Sequence, residues 1–411
     1  MRARTPMVLL QSANLLAGTA NALLMLTIPW LILERTDSPL AAGVAGALTG
    51  LPGIFLAPIA GRLVDRLGRR TVSVASDLLS AVSVALFPIA AALGILELWV
   101  IFALTLLGAA FDPAGYTARK ALIPDTARAS GMSMADANGL HEGIFMAGWV
   151  LGPVLGAAAI ATVGALPAMW FGCAAFLLAA GAISIMKVSN KVATGPSGDD
   201  GAPATPGEQA SGLRLLMRDR AVWALTLVVA LLLMIYMPTE AVLLPVHFEA
   251  LEQPGGMGLV ISAMAAGAMI GAFGYGRISP HFTRRKLALL CISGASLAYV
   301  PMAFLPPVWL FLFAGFLLGL AWGPLEPLVN TLVQTRFPAA QHGRIYGIQL
   351  SLFYAAPPLG ELVAGASVAA LGVQPVFVGI ALILICTAIA ITAVPALREL
   401  DADFPEKDVA A

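Results

Sequence analysis

The sequence predicts an all-α membrane protein of twelve transmembrane helices in two pseudo-symmetric six-helix bundles. Three observations predict it: apolar runs of about 20 residues or more recur along the whole chain, nearly every lysine and arginine falls on one side of them, and the two halves repeat at nearly constant offsets.

The first observation sets the class. Of 411 residues, 59% are hydrophobic and 11% charged, against about 25% charged in soluble domains. A helix rising about 1.5 Å per residue crosses a hydrocarbon core of about 30 Å in about 20 residues. Runs of that length lie near 7–33, 39–60, 71–93, 98–118, 134–161, 166–187, 221–245, 256–276, 287–305, 308–333, 345–371 and 375–396. The first is too long for the apolar region of a secretory signal, and no small-residue cleavage site ends it. Cys173, Cys291 and Cys386 sit inside apolar runs at unrelated spacings and read as packing residues, with no disulfide framework or metal site.

The second observation orients the spans. With the N-terminus in the cytoplasm, 22 of the 23 Lys and Arg residues lie inside, and only Arg35 is outside. A missed span would scatter the later positive charges over both faces, so the bias supports the even count. Both termini are expected in the cytoplasm of a cell-membrane protein.

The third observation divides the chain. Residues 188–220 contain GPSGDDGAPATPGEQASG, too polar and too rich in Gly and Pro to order itself, and read as a cytoplasmic linker between bundles at 1–187 and 221–396; a tail follows at 397–411. Across the linker, Gly61, Arg62, Arg69 and Arg70 precede Gly276, Arg277, Arg284 and Arg285 by 215 residues. Gly108, Phe111 and Pro113 precede Gly319, Trp322 and Pro324 by 211, and Arg128, Gly139, Gly152, Gly164 and Pro167 precede Arg336, Gly347, Gly360, Gly372 and Pro375 by 208. Offsets that drift this little indicate a duplicated six-span unit.

Two motifs carry a family resemblance. The loop Gly61-Arg-Leu-Val-Asp65-Arg66-Leu-Gly68-Arg69-Arg70 resembles the signature between spans 2 and 3 of the major facilitator superfamily. The resemblance implies the major facilitator fold and a cytoplasmic latch, in which Asp65 and Arg66 stabilise the outward-facing state. A carboxylate at this helix end can meet the positive N-terminus of another helix. In the second copy Pro280 stands in the place of Asp65, so the latch is single.

In span 5, Gly148, Gly152, Pro153 and Gly156 resemble the motif of the drug:proton antiporter branch, with Ala157 where its last glycine stands. Glycines four apart make a groove in which another backbone approaches closely, and in that branch the stripe packs span 5 on span 8. The arginine motif that many drug exporters carry in span 4 is missing, since Asp112-Pro113 is followed by no basic residue before Arg119. That departure points to the macrolide- and siderophore-exporter-like group and leaves the proton pathway unassigned.

Embedded acids supply candidates for it. Asp77, Asp112, Glu142, Glu240, Glu326 and Glu361 fall within spans that carry no embedded Lys or Arg. Burial without a cation favours the neutral carboxyl, as a proton carrier requires. Glu142 and Glu361 lie deepest; Glu240, near the outer end of span 7, and Asp112, Asp77 and Glu326, in the cytoplasmic halves of theirs, suit gating or helix-end roles.

Gln11, Asn14, Gly18 and Asn21 share one face of span 1, where either cavity lining or interhelical hydrogen bonding fits them. Trp149 and Tyr354 complete the expected substrate cavity, and His247 reads as interfacial. The expected function is alternating-access, proton-coupled efflux of an amphiphilic organic solute by a monomer in the lipid bilayer, without cofactor, metal or nucleic acid. Lipid or lysolipid movement and uncoupled facilitation stay open on the same fold. No GxxxxGK[ST], HExxH or GxSxG motif points to an enzyme.

Overall fold

The computed structural model describes residues 4–132, 134–187, 213–337 and 339–401, and among them every regular element is helical. The first half holds α1 (Thr5–Thr36), α2 (Pro39–Leu67), α3 (Arg69–Ala92), α4 (Leu98–Ser130), α5 (Met134–Val163) and α6 (Ala165–Ile185). In the second half, α7 (Arg220–Pro238) runs through a π turn at Thr239–Leu243 into α8 (Leu244–Glu249), together forming the seventh span. There follow α9 (Pro254–Ile278), α10 (Arg284–Tyr299), α11 (Val308–Trp322), α12 (Leu325–Arg336), α13 (Ala339–Leu371) and α14 (Val373–Ala393). Among the described residues, eleven helical stretches are long and apolar enough to cross a membrane; α2, at 29 residues, is a twelfth of spanning length.

Two boundaries differ from the sequence expectation. The turn expected at 61–70 is the single residue Gly68, whose φ of 88° joins α2 to α3 directly, with its N–H bonded to Val64 O. Only glycine takes that conformation without strain. Span 4, expected to stop near 118, continues as α4 to Ser130 and ends on Gly131 at φ 69°. Arg119 and Lys120 are therefore inside a helix rather than in a loop.

The duplication extends to backbone detail. Gly164 and Gly372, 208 residues apart, both start their helices at φ 85° and ψ 167°. Arg70 donates from Nε to Ile183 O at 3.2 Å and from Nη2 to Ser184 O, while Arg285 donates to Thr392 O at 3.1 Å. Each arginine thereby closes the carbonyl-rich end of the last helix of its half, where a cation also meets the negative end of the helix dipole.

By contact the chain forms two compact units. The first holds α1 to α6 with Glu240–Ser262 and Glu361–Ala369; the second holds α7 to Thr239, Ala263–Gly360 and the chain from Ala370 onward. At the centre of the first unit α1 is buried almost all round, packed on α2, α4, α5 and α6. The glycine stripe of α5 faces it. A methyl placed on Gly152 would sit 2.5 Å from Ala22 Cβ and 2.8 Å from Thr19 O, and one on Gly148 would sit 3.0 Å from Thr19 N. This corrects the expectation that the stripe meets span 8. Pro153 and Ala157, on the neighbouring face, are the α5 residues that pack on Gly258 of α9, and Ser262 Oγ donates to Val150 O at 2.7 Å. The reason is steric: the glycines admit the backbone of α1, and the proline, whose ring leaves a carbonyl unbonded in the helix, lies beside them.

In the second unit α9 and α11 cross backbone to backbone. Gly267 and Gly271 lie on the carbonyls of Phe316 and Leu320, and Gly319 and Gly323 on those of Met264 and Ala268. Arg336 ties this unit's arginine-rich end together. Its Nη1 reaches Asp219 Oδ2 at 3.0 Å, and its Nη2 reaches Glu399 O. Asp219 also caps α7, accepting from Ala221 N and Val222 N at 3.0 Å. One buried carboxylate thus satisfies both a guanidinium and two orphan amides.

Candidate functional site: a charge cluster in the first bundle

Charges concentrate where α3, α4 and α5 run side by side. Arg119 Nη1 of α4 meets Asp77 Oδ1 of α3 at 2.8 Å, with the two side chains 2% and 3% exposed. Gly115, one turn before Arg119, leaves room for it: a methyl there would lie 2.9 Å from Ser76 Oγ and 3.3 Å from the guanidinium. Ser76 in turn donates to Phe111 O, beside the helix's internal Pro113. At the next residue of α4, Lys120 Nζ meets Glu142 Oε1 of α5 at 2.7 Å, and this pair is open, 43% and 47% exposed.

These two pairs overturn the expectation that the embedded acids have no cationic partner. The cause is the length of α4, which carries Arg119 and Lys120 to the depth of the acids. Asp77 and Glu142 are each eight residues, about 12 Å at 1.5 Å per residue, inside the start of their helix.

Asp112 is the carboxyl left over. It lies seven residues before Arg119 on the same helix and accepts from Asn21 Nδ2 at 2.5 Å, a neutral donor. In this interior stretch of α3 to α5, three carboxyls therefore face two cations. His141, fully buried, presents two ring nitrogens with no hydrogen-bond partner among the described residues, and its carbonyl accepts from Asn14 at 2.9 Å.

The polar stripe of α1 resolves into packing contacts. Gln11 and Asn14 are 6% and 1% exposed, Gln11 bonds to Met7 Sδ at 3.3 Å, and Gly18 lies against Phe145 and Gly148. Of the two roles open to the stripe, interhelical bonding fits Asn14 and Asn21, which donate to α5 and α4, while Gln11 bonds within α1 and Gly18 packs.

An aromatic ladder adjoins the open ion pair. Tyr116 and Phe145 have ring centroids 5.1 Å apart, and Phe145 and Trp149 6.3 Å. Lys120 Nζ lies 4.7 Å from the centre of the Tyr116 ring. Trp149 is half-buried, with its indole nitrogen enclosed.

Glu361 stands apart from this cluster. It is 7% exposed and lies on the small-residue face of α2, where a methyl on Gly46 would sit 2.8 Å from its Oε2. That oxygen has no hydrogen-bond partner among the described residues. Gly365, one turn on, lies against Pro39 O, and Gly43 against the Glu361 carbonyl, so glycines on both helices let them approach.

Glu240 belongs to the π turn of the seventh span and Glu326 to the first turn of α12, where an acid meets the positive end of the helix dipole. Tyr354 is exposed. In the signature loop Arg69 pairs with Asp125 of α4 at 3.0 Å, and Arg66 is exposed near the end of α2. The side chains of Arg62 and Asp65 lie outside the described residues.

Sequence reasoning missed Arg119, Lys120, Asp125, Tyr116 and Phe145. One signal would have found the cations: between Asp112 and Gly131 the helical pattern runs on through Thr117 to Ile123 with no glycine after Gly115. Among the described residues no group of His, Cys, Asp and Glu is placed to hold a metal ion.

Comparison with known proteins agrees with this architecture. The family model for the Major Facilitator Superfamily matches residues 11–348 and again 241–408. The chain is 36% identical over 401 residues, 97% of its own length and 98% of the relative's, to the multidrug efflux pump Tap of Mycolicibacterium fortuitum. It is 23% identical, over 93% of its length and 94% of the relative's, to macrolide efflux protein A of Streptococcus pyogenes. Among solved structures, the nucleoside transporter NupG superposes with a TM-score of 0.80 at 12% identity, covering 94% of this chain and 98% of that one.

Proposed function

The chain belongs to the Major Facilitator Superfamily, and from that premise we propose that it exports amphiphilic, drug-like organic solutes by alternating access, driven by protons. Similarity over nearly the whole of both chains to a protein named as a multidrug efflux pump supports the direction and the solute class. In this reading the six-helix bundles at 1–187 and 221–396 move as bodies during alternating access, and the linker at 188–220 and both termini lie in the cytoplasm. Asp65 and Arg66 latch that side, and the protein works as a monomer in the cell membrane.

The observation that carries the coupling is the charge count. Asp77 and Glu142 have cations in contact at 2.8 and 2.7 Å, whereas Asp112 has an amide as its hydrogen-bond donor and feels the Arg119 charge only from beyond contact, and Glu361 Oε2 has no hydrogen-bond partner among the described residues. An uncompensated carboxyl in a low-dielectric interior takes up a proton more readily than a paired one. Asp112 and Glu361 are therefore the proton carriers, and Glu142 serves the solute. The test is efflux from proteoliposomes under an imposed pH gradient, reading solute and proton flux together. Asp112→Asn and Glu361→Gln combined should leave downhill solute exchange while abolishing its response to the gradient. Unchanged coupling in the double variant would refute the assignment.

A further inference from the structure

The open ion pair and the aromatic ladder beside it have no structural task that the rest of the bundle leaves undone. The first bundle is already held by the buried Arg119–Asp77 pair and by the glycine packing of α5 on α1. A surface-type pair such as Lys120–Glu142, about half exposed, adds little stability of its own. Yet its surroundings are specific. The ammonium of Lys120 has a carboxylate oxygen at 2.7 Å and a phenol ring centroid at 4.7 Å. Those are the two contacts an organic cation makes when it leaves water. From Tyr116 the ladder continues through Phe145 to Trp149, rings 5.1 and 6.3 Å apart, as a surface for the apolar body of such a molecule.

We propose that Glu142, Tyr116, Phe145 and Trp149 form a binding site for lipophilic organic cations, and that Lys120 occupies it in the solute-free protein as a tethered stand-in. The proposal rests on the export reading, and it names the substrate class at that site. Lys120 suits the part because its ammonium is a point charge on a flexible four-carbon stem. It keeps Glu142 neutralised when no solute is present and swings away when a cation arrives, so no bare carboxylate faces the interior in either state. The half exposure of both partners supplies the way out. Charged groups turned to lipid are costly to insert, so this face meets water.

The stand-in makes an unusual demand on experiment: removing a residue from the site should tighten binding. Equilibrium binding of radiolabelled tetraphenylphosphonium to the purified full-length protein in detergent reads it directly. Lys120→Met should tighten binding about threefold to tenfold, because the competitor is gone. Glu142→Gln should weaken it about tenfold, for loss of the counter-charge. The double variant should bind weakly, like Glu142→Gln alone. Weaker or unchanged binding in Lys120→Met overturns the proposal, and so does unchanged binding in Glu142→Gln. Should Glu142→Gln fail to yield monodisperse protein, Lys120→Met decides alone. Binding is read without any gradient, so failure of the site and failure of the transport reading separate. A protein that binds in this pattern but moves no solute refutes export only. One that exports a neutral macrolide while both variants bind tetraphenylphosphonium as the wild type does refutes the site only.

Discussion

Replacing Arg119 by methionine isolates what the buried pair contributes. The substitution keeps the length of the apolar stem and deletes the guanidinium, leaving the Asp77 side chain, 3% exposed, with no cation at 2.8 Å. Breaking a buried pair from one side typically costs about 3 to 5 kcal/mol, because the remaining charge has been taken out of water for nothing. The loss falls toward the lower bound if Asp77 takes up a proton. Adding Asp77→Asn to Arg119→Met removes the stranded charge and should recover all but about 1 kcal/mol, since neutral pairs of similar size replace buried ion pairs with little penalty. Adding the second substitution should therefore restore about 2 to 4 kcal/mol in the Arg119→Met background. Reversible unfolding in mixed dodecylmaltoside and SDS micelles, followed by near-ultraviolet circular dichroism, measures it. If Arg119→Met alone is within about 1 kcal/mol of the parent, or the double variant is as damaged as the single, the pair is not carrying buried charge as described.

Other consequences can be checked on the same preparation. Gly152→Ala should destabilise by about 1 to 3 kcal/mol, as its methyl would lie 2.5 Å from Ala22 Cβ and 2.8 Å from a carbonyl; Gly156→Ala, facing Leu23 Cγ at 3.2 Å, should be milder. Thermal stability in detergent should rank the two in that order, and equal effects would mean that the stripe is not the contact with α1. Gly164→Ala and Gly372→Ala should each cost about 1 to 3 kcal/mol, because φ 85° with ψ 167° is open essentially to glycine alone. Similar losses at the two sites would show that the repeat is energetic as well as geometric. Asp219→Ala strips Arg336 of its carboxylate and α7 of its cap together, and should cost more than the roughly 1 kcal/mol of an ordinary cap.

The architecture was legible because it follows from bulk quantities. Hydropathy and the sidedness of arginine need only run lengths and counts, and the duplication needs only offsets, one of which reappears as twin φ values at Gly164 and Gly372. The site was harder to read. Whether Asp112 is paired depends on where α4 stops, and the charged run after Tyr116 looked like a cytoplasmic loop because arginine and lysine end most spans. The partner of a glycine face was equally hidden. Spacing in α5 shows that some backbone comes close, but α1 and α9 both have small residues to offer, and only packing decides between them.

The mixed content of α4 bears on how the chain enters the bilayer. Asp112, Arg119 and Lys120 come within nine residues of each other, and each would oppose partition from the translocon into lipid if the helix were released singly. Their partners arrive at different times during synthesis. Asp77 is made before Arg119 and must wait for it, whereas Lys120 is made before Glu142 and has no mate until α5 emerges. The fourth helix should consequently linger at the translocon beside the third until the fifth arrives. Nascent chains halted soon after Gly131 should be far easier to crosslink to the insertion machinery than chains halted after Val163.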